Sequence, residues 1–195
     1  DYGLNEHLSP QFFYNNRFNW YDENTENDEG MFGRDVMRIL KNIGICTEVE
    51  YPYGLREKKQ DISKNCYTQA SEHKIKGYAQ IQTLNGLKLA LNENGPCLIA
   101  FPVYNYTMEI WKQQNEESFL GGHAMTVVGY NSDGFIIRNS WGPFWGENGY
   151  CTYSYLDWGS HWEIWTTIDG KSYVNPPEPK PVDPTVVFIK EMRMR

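Results

Sequence analysis

No stretch of this sequence stays apolar for the roughly 20 residues that a helix needs to cross a bilayer, so a helical membrane span is excluded. Positive charge is also short: 18 Lys and Arg stand against 25 Asp and Glu, a net charge of −7 with no basic stripe. That balance excludes a nucleic-acid backbone as the main partner. Cysteine is scarce. The four present, Cys46, Cys66, Cys97 and Cys151, are too few for a disulfide scaffold. None forms a CxxC pair, so zinc is not expected, and no other metal or cofactor is implied. The opening Asp1-Tyr2-Gly3-Leu4-Asn5-Glu6 lacks the basic and apolar regions of a signal peptide, and a chain that starts on Asp reads as processed or partial. Location is therefore left open between a soluble secreted, lysosome-like or particle-bound protein. Aromatic residues, in contrast, are plentiful at 15%, enough for a 195-residue chain to pack a real core.

Helical signals come first. Val36, Ile39, Leu40 and Ile43 recur at helical spacing over 34–43, and Gly44 supplies a stop. An acidic loop, Tyr21–Glu29, precedes this helix, and a Pro- and Lys-rich loop follows it through Cys66. Cys46 and Cys66 flank that polar loop and are candidates to pair. Closing a loop of this length contributes about 3 kcal/mol in an oxidising compartment. A strand is expected at His73–Ile81 and a second helix at Asn85–Asn94, ended by Gly95-Pro96. Strands dominate thereafter: Cys97–Val103, Ala124–Tyr130, Phe135–Asn139, Tyr150–Tyr155 and Trp162–Ile168, rich in Val, Ile, Tyr, Trp and Thr and divided by turns. Helices followed by an antiparallel sheet make an α+β protein with a helical lobe against a β lobe. Five of the ten residues Asn175–Pro184 are Pro, which predicts an extended spacer. Beyond it, Thr185-Val186-Val187-Phe188-Ile189 is a short apolar segment, so 172–195 reads as a linker and a tail that docks a protein partner, or as a disordered terminus.

The chemistry concentrates in one stretch. Gly121-Gly122-His123-Ala124 opens a strand, and the next strand ends in Asn139-Ser140-Trp141-Gly142, sixteen residues after the histidine. A hairpin between them can bring His123 and Asn139 together. An amide oxygen there accepts from one imidazole nitrogen, fixes the tautomer and frees the other nitrogen for a thiol. Trp141 can keep water from that bond. Asn105-Tyr106-Thr107 is a glycosylation sequon, while His7, His73 and His161 have no partner pattern and read as structural or surface residues.

The composite Gly-Gly-His-Ala, Val-Val-Gly-Tyr and Asn-Ser-Trp-Gly-x-x-Trp-Gly-x-x-Gly-Tyr resembles the papain superfamily of cysteine peptidases over about Leu4–Asp169. Cys46-Thr47-Glu48, Tyr51-Pro52-Tyr53 and Cys66-Tyr67 resemble a compact, xylellain-like branch. The resemblance implies a two-lobe papain-like domain over 1–171 and hydrolysis of peptide or protein substrates through a Cys-His-Asn site. It also implies that Gly30 bonds the substrate backbone and that Met31 lines the pocket for the second side chain before the cleaved bond. Gly122 would meet substrate backbone through its carbonyl, Trp141 would shield Asn139, and Trp145 would form the wall on the leaving-group side. The open surroundings of Met31 and Gly121-Gly122 favour a hydrophobic residue in that pocket.

Departures carry as much weight. The family's cysteine lies roughly 130–150 residues before its histidine, which from His123 falls before Asp1. The oxyanion Gln would precede that cysteine. All four cysteines match other places in the fold, and the polar run Asn27-Asp28-Glu29 replaces a Cys common in relatives. Two functions follow: a cysteine peptidase of which this chain supplies His and Asn, or an inactive relative serving as a structural or binding component of a larger assembly, a virus particle for example.

Overall fold

The structure is a computed structural model, and it describes residues 6–19, 30–54 and 62–169. The acidic loop Tyr21–Glu29 and the 172–195 tail lie outside the described residues.

Four α-helices are described: α1 (Pro10–Asn15), α2 (Gly33–Asn42), α3 (Lys64–Ala70) and α4 (Leu84–Glu93). Helices α2 and α4 stand within a residue of their expected positions. Helix α4 starts where Thr83 Oγ1 accepts the Gly86 N–H at 3.1 Å, an N-cap that satisfies one of the free donors at the helix start. Helix α1 falls in a segment to which sequence patterning assigned no element, and α3 begins inside the loop expected through Cys66. Each is launched by a serine cap: Ser9 Oγ accepts from Phe12 N at 3.0 Å, with Pro10 in the first turn, and Ser63 Oγ accepts from Cys66 N at 3.2 Å. These two helices close over a small core of Phe12, Cys46, Tyr51, Ile62, Cys66 and Ala70. Within it the Phe12 ring meets Tyr51 and Tyr67 edge-on, with centroids 6.0 and 5.5 Å away.

The second core belongs to a six-stranded antiparallel sheet in the order β1-β6-β2-β3-β4-β5. Its strands are β1 (Gly77–Gln80), β2 (Cys97–Val103), β3 (Gly121–Tyr130), β4 (Gly134–Arg138), β5 (Tyr150–Ser154) and β6 (Glu163–Ile168). The strand expected at His73–Ile81 shrinks to four residues because it lies at an edge and pairs with β6 alone. Phe101 anchors the core, stacked on Trp111 at 4.7 Å and edge-on to Tyr153 at 4.9 Å. Such offset and edge contacts are the favourable aromatic geometries. Two cores with separate residues give the α+β, two-lobe architecture expected.

Strand β3 begins earlier than its side-chain pattern indicates. Gly121 and Gly122 pair with Val103 and Pro102, so His123 sits inside the ladder opposite Phe101. Glycine carries no strand signal, which is why the sequence pattern starts only at Ala124. Between β3 and β4 the register shifts at Val127/Gly129, and Thr126 then faces Arg138. A bulge of this kind turns the strand locally. The next residue, Asn139, leaves the ladder and bonds Gly149 O through its own N–H at 2.9 Å.

Candidate active site

His123 is half-buried and Asn139 is 7% exposed. His123 Nε2 lies 2.8 Å from Asn139 Oδ1. The Ser140 N–H donates to the same Oδ1 at 2.7 Å. A backbone donor on that atom identifies it as the amide oxygen, and an amide oxygen can only accept. The histidine nitrogen facing it therefore carries the hydrogen. In the neutral ring the free lone pair is on Nδ1, so Nδ1 is the basic nitrogen. Trp141 lies flat on the imidazole, with ring centroids 4.7 Å apart and planes 24° from parallel. Among the described residues Asn139 Nδ2 is buried without a hydrogen-bond partner.

Trp145 stands behind this pair rather than in the open. It is 9% exposed, meets Trp141 edge-on at 5.6 Å and donates its Nε1–H to Tyr106 O at 3.0 Å. The exposed aromatic face on that side belongs to Tyr106, 5.5 Å from Trp141, which sequence reading did not single out. On the other side of His123, Gly122 is exposed and lies under the ring of Trp162. A Cβ at Gly122 would collide with that ring. Trp162 in turn lies 5.9 Å from Phe119, and both are more than half exposed.

Gly30 and Met31 lead into α2 from the helical lobe. Gly30 has φ +81°, a conformation that favours glycine, and its N–H donates to Tyr14 Oη at 3.1 Å. Met31 is half-buried, and Phe32 beside it is exposed. Neither Tyr14, Tyr106 nor Trp162 was legible as a site residue, since each reaches its neighbour from another element with no sequence pattern linking the two. Their neighbours Gly30, Trp141 and Gly122 were the residues the sequence motifs marked.

Cys46 and Cys66 are both free thiols in the small core and lie within side-chain hydrogen-bond reach of each other. Burial, reinforced by Cys66, pushes the Cys46 thiol up to about 12. Burial likewise raises Cys97 to about 11 and Cys151 to about 12. A catalytic thiol needs the opposite shift. Two of the remaining histidines have structural partners, His73 Nδ1 lying 3.1 Å from Ile45 O and His161 Nδ1 2.9 Å from Tyr153 Oη, with the His161 pKa lowered by burial, while His7 is exposed. Among the described residues no cluster of three or more His, Cys, Asp or Glu could hold a metal ion, and no helix is long and apolar enough to cross a membrane. The sequon asparagine, Asn105, is buried, and its Nδ2 already donates to Lys112 O and Glu117 Oε2, both at 2.9 Å.

A model of the papain family of cysteine proteases matches residues 21–161. The chain belongs to that family. An uncharacterized peptidase C1-like protein of Acanthamoeba polyphaga mimivirus is 26% identical over 162 residues, covering 73% of this chain and 51% of the relative. A cathepsin B-like protein of Giardia intestinalis is 30% identical over 132 residues, covering 60% of this chain and 43% of the relative. Among solved structures, xylellain, a cysteine protease from Xylella fastidiosa, superposes with a TM-score of 0.69 at 28% identity, over 83% of this chain and 69% of that one. The chain spans about half the length of these curated relatives. Membership in the papain family and the α+β papain fold are thus established, and several relatives carry cysteine-protease names.

Proposed function

We propose that this chain supplies the histidine and asparagine of a papain-type peptidase that hydrolyses peptide bonds with a cysteine outside the described residues, N-terminal to Asp1. The observation that carries this reading is the doubly fixed Asn139 Oδ1, which holds His123 as the tautomer with a basic Nδ1. In the reaction Nδ1 takes the thiol proton as sulfur attacks the carbonyl carbon. The imidazolium then gives that proton to the departing amine, leaving a thioester. His123 next takes a proton from water, whose oxygen adds to the thioester carbonyl, and returns it to the leaving sulfur. Asn139 stabilises the imidazolium throughout by accepting its Nε2–H, a charge-assisted bond.

The high thiol pKa values of Cys46, Cys97 and Cys151 support a nucleophile from elsewhere in the protein. Gly30 and Gly122 would then meet the substrate backbone from the two lobes, with Met31 receiving a hydrophobic side chain. The full-length protein, treated with a thiol-reactive peptide probe, is expected to label in wild type and to lose that labelling in His123→Ala. Equal labelling of both proteins refutes the mechanism. No labelling of either leaves the inactive, structural reading standing in its place.

A further inference from the structure

The two backbone rungs of the proposed cleft lie on different lobes, and one side chain joins those lobes beside them. Glu163, the first residue of β6, accepts the Gly33 N–H through Oε1 at 2.6 Å and the Trp165 Nε1–H through Oε2 at 2.7 Å. Gly33 is the first residue of α2, two residues after Met31. The preceding cap residue, Phe32, offers no side-chain hydrogen bond. Glu163 thus supplies from the β lobe the acceptor that the helix start lacks, and its negative charge suits the positive end of the helix dipole.

The fit leaves no slack. A Cβ on Gly33 would sit 2.6 Å from Glu163 Oε1 and 2.7 Å from the Trp165 indole. Trp165 itself is 3% exposed, with the Arg34 guanidinium 5.2 Å over its ring and Tyr78 edge-on at 5.8 Å. The clamp is therefore held on both sides. On the β lobe, Glu163 pairs with Ala100 and Ala100 pairs with Ala124. Glu163 and the residue after His123 are thus in one cross-strand row, two strand spacings or about 10 Å apart.

We infer that Glu163 is a positioning residue, which sets the Gly30–Met31 rung of α2 against the Gly122–His123 rung of β3 and so fixes the width of the cleft. This rests on the peptidase reading above. It predicts an effect that depends on substrate length. A single-residue fluorogenic amide engages only the Gly122 side, whereas a tripeptide amide with the same cleaved bond also spans to Gly30 and Met31.

In the full-length protein, Glu163→Ala is expected to lower kcat/KM for the tripeptide by about 10- to 100-fold, the scale of a misplacement near 1 Å. The single-residue substrate should change less than about threefold. Glu163→Gln keeps an oxygen for Gly33 and places its NH2 against the Trp165 donor, so it should fall between wild type and Glu163→Ala. Equal losses on both substrates, or no loss on either, overturn the positioning role. Amide hydrogen exchange at 30–34 is read on the same proteins and needs no turnover. Faster exchange at Gly33 in Glu163→Ala is expected, and unchanged exchange overturns the clamp. A wild type that cleaves neither substrate refutes the peptidase reading alone, and the exchange result still decides the clamp.

Discussion

Replacing Asn139 by Ala tests the centre of the site with little collateral damage. The side chain makes one bond that matters to chemistry, Oδ1 to the His123 Nε2–H at 2.8 Å, and a second, part-buried one to the N–H of the exposed residue Ser140. Its Nδ2 bonds nothing among the described residues, so the fold loses little with it. When His123 becomes an imidazolium, the lost contact is a hydrogen bond to a charged group, worth about 1.5–3 kcal/mol. At 1.4 kcal/mol per factor of ten, kcat should fall roughly 10- to 150-fold. KM should barely move, because Asn139 is buried and has no surface to offer a peptide. Trp141, stacked on the ring, should hold the imidazole partly in place, so Asn139→Ala and Trp141→Ala together should depart from additivity. The assay is steady-state hydrolysis of a peptide amide by the full-length protein, normalised by titrating active sites with an alkylating epoxide, with thermal unfolding as the control on the fold. A fall in kcat below about threefold, or a change carried by KM alone, would refute the orientation argument.

Three further outcomes follow from the same geometry. The thiols of Cys46, Cys97 and Cys151 remain protonated in the folded chain to about pH 11–12, whereas in the unfolded chain they ionise near 9.0; stability should therefore be level below pH 9 and fall as pH climbs from there toward 12, measured by denaturant titration, and a flat profile counts against the burial of these groups. Gly122→Ala should damage activity by driving its Cβ into the Trp162 ring, and adding Trp162→Leu should restore at least part of it; a double variant as poor as the single one shows that Trp162 is not the obstacle. Expression through a secretory pathway should leave Asn105 unglycosylated by mass spectrometry, because its amide is buried and already donates twice; quantitative glycan there would contradict the fold around it.

What could be read in advance depended on how far apart the cooperating residues lie. Strand β2 was legible to the residue, because Cys97–Val103 is a continuous apolar run bounded by Pro96 and by the polar residues after Val103. Helix α2 was legible through Val36, Ile39 and Leu40. Helices α1 and α3 have only six and seven residues and too few apolar positions for a period to show; their serine caps were the available signal. The His123–Asn139 pair was visible because one hairpin carries both. Trp162 on Gly122 and Glu163 on Gly33 were not, since contacts over such separations exist only once the sheet and its flanking helix have met; Tyr14 on Gly30 spans only sixteen residues, but it links α1 to the approach to α2 with no hairpin pattern to announce it.

The strand order has a consequence for how this protein is made. The partner of β1 is β6, and Gly77 faces Ile168 about ninety residues later in the chain. β6 also fills the gap between β1 and β2, so neither β1 nor the outer side of β2 has a neighbour until nearly all of the described chain has been synthesised. During translation the hairpin of β3 and β4 can form early, carrying His123 with it, while β1 waits as an unpaired edge exposed to aggregation. The last strand among the described residues brings Glu163 and with it the tie to α2. Among the described residues, the tie between α2 and the sheet is thus completed last, and a chain cut short before Glu163 would keep the hairpin that carries His123 and Asn139 yet lack the contact that holds α2 against the sheet.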